Sequence, residues 1–354
     1  MFIDTHVHCR DEEQSHKETI AHALQVARDS GLDAIFDMPN TQRPVLSKKR
    51  VEERLDLARR ADVPEVFYGL YVGLTSDPEQ IKQAVAAYHT FFPRVVGMKL
   101  YAGHSVGELG VTRLEEQELV YDTLAREGYQ GLLFVHAEKE SEMNEHIGKS
   151  FNPKRPMTHC RARPWKAEYS SIQDQIALVE RTRFMGKLHI THLSHPKSLD
   201  LVVDARGRGV DISSSVCPHH LFYDSRQMEQ KNGLLWKMNP PLRTPASSSS
   251  LLEALRNGKT DWIETDHAPH SLDEKMMPPY LSGIPGLPWW PQFTEYLRTQ
   301  NFTEQQIENL TFRNIISRFK IHISSSRRSL KDHRSDYSFN PYSSLERFLQ
   351  SYSS

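Results

Sequence analysis

Cysteine is scarce in this chain: Cys9, Cys160 and Cys217 are too few and too far apart for a disulfide framework or a cysteine-based zinc site. They read as buried thiols and fit a reducing cytosol. No run of roughly 18 apolar residues occurs, and the start Met1-Phe2-Ile3-Asp4-Thr5-His6 lacks the basic and apolar stretches of an export signal. A cytoplasmic protein without membrane contact is expected. Neither sign of charge is in excess, with 44 Lys and Arg against 45 Asp and Glu, so a nucleic acid partner is disfavoured. What the chain has in quantity is histidine, 18 in 354 residues, which points first to metal or proton chemistry.

Short β-rich runs alternate with segments of helical period, the pattern of parallel strands joined by crossover helices. Eight runs have this character: Phe2 to Asp4, Ala34 to Met38, Phe67 to Val72, Val95 to Leu100, Leu132 to His136, Leu188 to His192, Val210 to Ser214 and Trp262 to Thr265. Helical stretches between them include His16 to Asp29, Lys48 to Arg60, Glu115 to Arg126 and Ile172 to Arg183. Eight such units predict an α/β protein with a closed (β/α)8 barrel of the TIM type over residues 1–320. The Ser- and Tyr-rich remainder, 321–354, is expected to be a peripheral or partly disordered tail.

Barrel enzymes carry their chemistry at the C-terminal ends of the strands. His6, His8, Asn40, Lys99, His136, His192 and Asp266 all fall at or just after predicted strand ends. In an extended strand Asp4, His6, His8 and Arg10 share one face, so two imidazoles converge where metal ligands are useful. Lys99, inside Val95-Val96-Gly97-Met98-Lys99-Leu100-Tyr101, places an amine in an apolar interior; a neutral amine there can add CO2 and become a two-oxygen ligand. His189, three residues before His192, has the opposite strand parity and is not expected to be a ligand. Asp266 can bind metal and carry a proton between water and a leaving nitrogen. Arg10, Asn40 and Asn239 suit recognition of a carboxylate and an amide. For His219 and His220 structural roles are favoured. The glycines of Ala102 to Gly110 suggest a mobile loop beside Lys99.

Taken together, Asp4-Thr5-His6-Val7-His8-Cys9-Arg10, Asp37-Met38-Pro39-Asn40-Thr41, Met98-Lys99-Leu100-Tyr101, Arg163-Pro164, Pro218-His219-His220-Leu221, Met238-Asn239-Pro240-Pro241-Leu242-Arg243 and Thr265-Asp266-His267-Ala268-Pro269-His270 resemble the dihydroorotases of the amidohydrolase superfamily. The likeness runs from about residue 2 to about residue 320. It implies two Zn²⁺ ions: His6, His8 and Asp266 on the first, His136 and His192 on the second, and a carboxylated Lys99 bridging both. It also implies that Arg10, Asn40 and His270 receive a substrate carboxylate, while Asn239 and the backbone of Gly283 to Leu287 fix the ring. Asp266 would be general base and acid. The reaction implied is reversible cyclisation of N-carbamoyl-L-aspartate to L-dihydroorotate in pyrimidine biosynthesis, through metal-bound hydroxide in the hydrolytic direction. The family's flanking β-sandwich is expected to be absent or vestigial, and a homodimer is the assembly considered. The rival readings are a hydantoinase, dihydropyrimidinase or allantoinase, and a catalytically dead homologue acting as an assembly partner.

Overall fold

The computed structural model describes residues 1–104, 109–143, 151–324 and 330–353. Its single sheet is parallel and sequential: β1 (Ile3–Val7), β2 (Ala34–Asp37), β3 (Phe67–Gly73), β4 (Val95–Tyr101), β5 (Leu132–His136), β6 (Lys187–Ile190), β7 (Ile212–Val216) and β8 (Trp262–Ile263). The principal crossover helices are α1 (Ile20–Asp29), α2 (Lys48–Arg60), α3 (Pro78–Phe91), α4 (Leu114–Arg126), α5 (Trp165–Thr182), α6 (Pro196–Gly207), α7 (Pro245–Arg256) and α8 (Trp290–Thr299). A parallel bridge between Val7 and His267 joins the last strand to the first, and the His8 amide donates to the His267 carbonyl at 2.9 Å. The fold is the expected (β/α)8 barrel. Among the described residues no helix is long and apolar enough to cross a membrane.

The helices form where the sequence supplies a cap and an apolar stripe. Thr19 accepts a hydrogen bond from the His22 amide at the start of α1, and Ile20, Ala23, Leu24 and Ala27 then bury one face at helical spacing. Ser47 caps α2 in the same way. Two apolar layers result. Val7, Leu70, Met98, Leu100, Val135 and Ile190 pack outward against the helices. Ile3, Phe36, Tyr71, Val96, Leu132, Phe134 and Trp262 fill the barrel, where Phe312, Ile315 and Phe319 join them. Lys187 donates to the Arg318 carbonyl at 2.8 Å, so this plug sits at the N-terminal ends of the strands and leaves the other mouth for the site.

The strand boundaries hold two departures from the simple alternation read from the sequence. The pairing register of β1 against β2 shifts between Asp4 and Val7, a bulge that breaks the common face proposed for Asp4, His6, His8 and Arg10. Asp4 accepts from Trp290 Nε1 at 2.9 Å, while His6 turns to the barrel mouth. β8 is only two residues long, and three residues beyond it the chain enters the left-handed region at Asp266, φ 50°.

The described part of the segment after residue 320 packs on the barrel instead of forming a peripheral tail. Tyr342, Leu345 and Leu349 recur at helical spacing and are buried, and α9 (Ser343–Ser353) lies against α8. Tyr223 donates to the Pro341 carbonyl at 2.7 Å, and Trp289 Nε1 to Glu346 at 2.8 Å. Its polar composition hid this apolar stripe. Tyr342→Ala is expected to destabilise the chain by about 3–5 kcal/mol in denaturant unfolding, as for other large buried aromatics. A change within roughly 0.5 kcal/mol, the size typical of surface substitutions, would show that the segment folds independently of the barrel.

Candidate active site

The C-terminal mouth of the barrel holds a cleft of about 380 Å³ lined by His6, His8, Arg10, Asn40, Tyr101, His136, His192, Asn239, Asp266, Ala268, Ser282 and Gly283. Eight of the ten site residues read from the sequence therefore meet in one place. Lys99 lies fully buried beside them, its ammonium 5.2 Å from the centre of the Tyr101 ring. His270 is buried just behind the wall, with Nε2 donating to the Ser282 carbonyl at 3.0 Å. Of the loop Ala102 to Gly110, expected to be mobile, residues 105–108 lie outside the described residues.

The donor atoms converge in two groups. His6 Nε2 is 3.3 Å and His8 Nε2 3.1 Å from Asp266 Oδ1. His136 Nδ1 faces His192 Nε2 at 3.0 Å. The His6 and His192 ring centres are 5.2 Å apart, so the two groups adjoin. His192 reaches the mouth only because its backbone is left-handed, φ 38°; with Asp266 it is one of two proposed ligands held in a region non-glycine residues rarely adopt. The parity argument for His189 therefore fails. Its ring lies inside the barrel, stacked on Trp262 at 4.1 Å, and what separates it from the site is that both nitrogens are engaged by Ser213 and Ser215.

Behind these donors stand carboxylates that sequence reasoning did not single out. Glu264 Oε1 contacts His6 Nδ1 at 3.2 Å and accepts the His192 amide at 3.0 Å, while its other oxygen accepts from Thr5 at 2.6 Å. Glu138 Oε2 lies 3.1 Å from His136 Nε2 and is held by the Arg163 guanidinium. A carboxylate on the far nitrogen fixes the tautomer and ring direction and leaves the near nitrogen as a lone-pair donor. The signal was present in the spacing: each glutamate stands two residues from a proposed ligand, and both lie on the barrel wall.

The electrostatics suit a cation. Burial holds all four imidazoles below their ordinary range, reinforced at His6 by Lys99 and at His8 by Arg10. Neutral imidazole is the ligand form. Burial also pushes the Lys99 amine down, against the pull of Glu264 and Asp266, and pushes the Asp266 carboxyl up, against Lys99. The Lys99 ammonium has one hydrogen bond among the described residues, a 3.3 Å contact to Thr191, which is poor compensation for a buried cation. Two nitrogens on a tetrahedral zinc are about 3.3 Å apart, so the 3.0 Å His136–His192 pair needs only slight opening to accept one. The residues present fit a divalent ion at His6, His8 and Asp266, and His136 and His192 offer two further donors beside it.

Around the donors, Arg10 is buried with its Nε lacking a hydrogen-bond partner among the described residues, and Asn40 bonds to His8. Ser282 Oγ donates to Asn239 Oδ1 at 3.3 Å. Gly283 has φ 134°, and a Cβ there would meet the Ala268 carbonyl oxygen at 2.6 Å, so only glycine allows this wall so close. Glu264→Gln is expected to weaken retention of divalent metal by about 10- to 100-fold in competition with a chromophoric chelator. Unchanged retention would show that Glu264 does not orient His6.

No family model matches the chain. A dihydroorotase of Listeria monocytogenes serotype 4a (strain HCC23) is 32% identical over 327 residues, covering 86% of this chain and 69% of the relative. Among solved structures, the L-hydantoinase (dihydropyrimidinase) of Arthrobacter aurescens superposes with a TM-score of 0.80 at 21% identity, covering 90% of this chain and 70% of that one. A dihydroorotase of Saccharomyces cerevisiae in complex with 5-fluoroorotic acid superposes with a TM-score of 0.72 at 17% identity, over 91% of this chain and 84% of that one. At these identities the two structures show the fold alone. The sequence relative carries the assignment further, and with its length of match and the barrel around it, the chain belongs to the dihydroorotase family of the amidohydrolase superfamily.

Proposed function

We propose that this protein is a dihydroorotase, a cyclic amide hydrolase that interconverts N-carbamoyl-L-aspartate and L-dihydroorotate. The observation that carries the choice of substrate is the buried Arg10 guanidinium lining the cleft beside the paired donor groups, its Nε without a hydrogen-bond partner among the described residues. A cation in a water-poor wall calls for an anionic substrate group, and a carboxylate matches its planar fork.

His6, His8 and Asp266 would hold one ion, His136 and His192 the second, and Lys99, carboxylated on Nζ, would join them. Two zinc ions, when bound there, would supply an activated water and polarise the carbonyl. Arg10 and Asn40 hold the substrate carboxylate at one side of the cleft, with His270 behind them, and Asn239 and the 282–283 backbone take the ring amide groups on the other. In hydrolysis Asp266 takes the proton of the attacking water and gives it to the ring nitrogen as the carbon–nitrogen bond breaks. In cyclisation the same carboxyl removes the proton from the carbamoyl nitrogen as the bond forms and returns it to the departing water. Burial, which raises the Asp266 carboxyl, moves it toward the range where it can do both. The proposal places the enzyme in the cytosol, supported by the free thiols of Cys9, Cys160 and Cys217.

The test is cyclisation of N-carbamoyl-L-aspartate by metal-loaded protein, set beside hydrolysis of dihydroorotate, dihydrouracil, hydantoin and allantoin. Arg10→Met is expected to lower kcat/KM for dihydroorotate by about 10- to 100-fold, the worth of a hydrogen-bonded charge, without changing metal content. Lys99→Ala is expected to lose the paired metal and the activity together. Dihydrouracil or hydantoin turned over at a comparable kcat/KM would replace the proposal with the hydantoinase reading, and a full metal complement in Lys99→Ala would remove the bridging role.

A further inference from the structure

Beside the cleft begins a polar chain, buried at its inner end, that the proposed chemistry does not use. His267 follows Asp266 directly and is fully buried. Its Nδ1 accepts from two backbone amides, Gly286 and Leu287, each at 3.1 Å. Its Nε2 faces Glu18 Oε2 at 3.1 Å. These contacts settle the tautomer. A nitrogen that receives two N–H groups carries no hydrogen, so Nε2–H must donate, and Glu18 is its acceptor.

Glu18 stands between this ring and the C-terminal segment. Its Oε2 also accepts from Tyr337 OH at 2.8 Å, and its Oε1 accepts from the Thr19 amide at 2.9 Å and pairs with His22 Nδ1 at 2.6 Å. The chain continues outward: His22 Nε2 meets Asp336 at 3.1 Å, Asp336 meets His333 at 2.7 Å, and His333 meets Asp29 at 2.8 Å. The Tyr337 ring packs edge-on against His267 at 5.4 Å. Inward, the same loop forms the cleft wall, since Ala268 N donates to Ile284 O at 2.9 Å and Ala268 and Gly283 line the pocket.

We infer that Glu18 is a positioning residue that, together with Tyr337 of the C-terminal segment, fixes the His267 tautomer and thereby holds the 283–287 backbone in place as a substrate-binding wall. The segment after residue 330 thus acts on the active site from outside the barrel, through two side chains and one ring. If Glu18 is removed, Nε2–H loses its acceptor, the ring gains the option of protonating Nδ1, and Nδ1–H would confront two amide hydrogens. The wall must then shift. The kinetic part of the inference rests on the reading of the cleft as a dihydroorotate site; the structural part does not.

The experiment measures full-length Glu18→Ala, Glu18→Gln and Tyr337→Phe against wild type by amide hydrogen exchange and by steady-state kinetics with dihydroorotate, with metal content recorded for each. Glu18→Ala is expected to speed exchange at Gly286 and Leu287 by about fivefold to tenfold, the effect of one lost hydrogen bond, and to raise KM more than it lowers kcat at unchanged metal content. Glu18→Gln, whose amide oxygen can still accept from Nε2–H while its NH2 loses the Thr19 amide contact, is expected to restore slow exchange at Gly286 and Leu287, and the KM, in part. Tyr337→Phe, which keeps the ring, is expected to fall between and serves as the test if Glu18→Ala does not fold. Wild-type exchange in both Glu18→Ala and Tyr337→Phe would overturn the inference, as would a Gln variant as damaged as the Ala variant. If wild type fails to process dihydroorotate while the exchange results hold, the substrate reading fails and the positioning of the wall stands.

Discussion

Charge buried at the barrel mouth sets the terms for everything around it. Lys99 and Asp266 bring opposite charges into a place that four neutral imidazoles and Arg10 also share, and burial opposes ionisation of both. Ions without water are stable only when others surround them in good geometry. Among the described residues the Lys99 ammonium has a single long hydrogen bond, to Thr191, which leaves its buried charge poorly compensated. Conversion to an anionic metal ligand would reverse the sign of that mismatch and let two cations take up the lone pairs that His6, His8, His136 and His192 present. The same reasoning explains the carboxylates at the back: Glu264 and Glu138 are themselves held, by Thr5 and by Arg163, so that they can hold the imidazoles.

The approach to Arg10 is built with similar economy. Arg10, Asp11 and Glu12 all have positive φ, at 40°, 67° and 53°, a run that costs energy at each step for residues with side chains. The buried Arg54 compensates. One arm donates to the Arg10 carbonyl at 2.8 Å and the other to Asp37 at 2.6 Å, while Asp37 also accepts from Tyr68 and from the Cys9 amide. Asp11 in turn accepts the Ile20 amide at the start of α1 at 2.8 Å. The loop that aims the guanidinium into the cleft is therefore locked to β2, α1 and α2 rather than left to the chain's own preference.

Much of this was legible in the sequence, and the failures share a cause. Strand patterns located all eight strands and helical periods most of the crossover helices, because burial on both faces of a parallel strand and one face of a helix leaves a strong pattern. That eight of the proposed site residues would gather at one cleft was legible because motif-bearing strand ends must meet at one mouth. Alternation misled wherever the backbone left ideal geometry: the bulge between Asp4 and Val7 turned Asp4 away from His6, and the left-handed residue His192 brought its ring inward despite its parity with His189. Neither feature has a glycine to announce it. Glu18 and Tyr337 were unreadable for a different reason, since their partners lie hundreds of positions away in sequence and only the closed barrel brings them together. The apolar stripe of Tyr342, Leu345 and Leu349 was hidden by the serines around it.

Anomalous diffraction at the zinc edge, from crystals grown with zinc and bicarbonate, addresses the paired-ion centre most directly. Two peaks about 3.5–4 Å apart are expected, as in other two-metal sites, one beside His6, His8 and Asp266 and one between His136 and His192, with added density on Lys99 Nζ reaching both. A single peak, or ions bound away from these six side chains with Lys99 unmodified, would contradict the account.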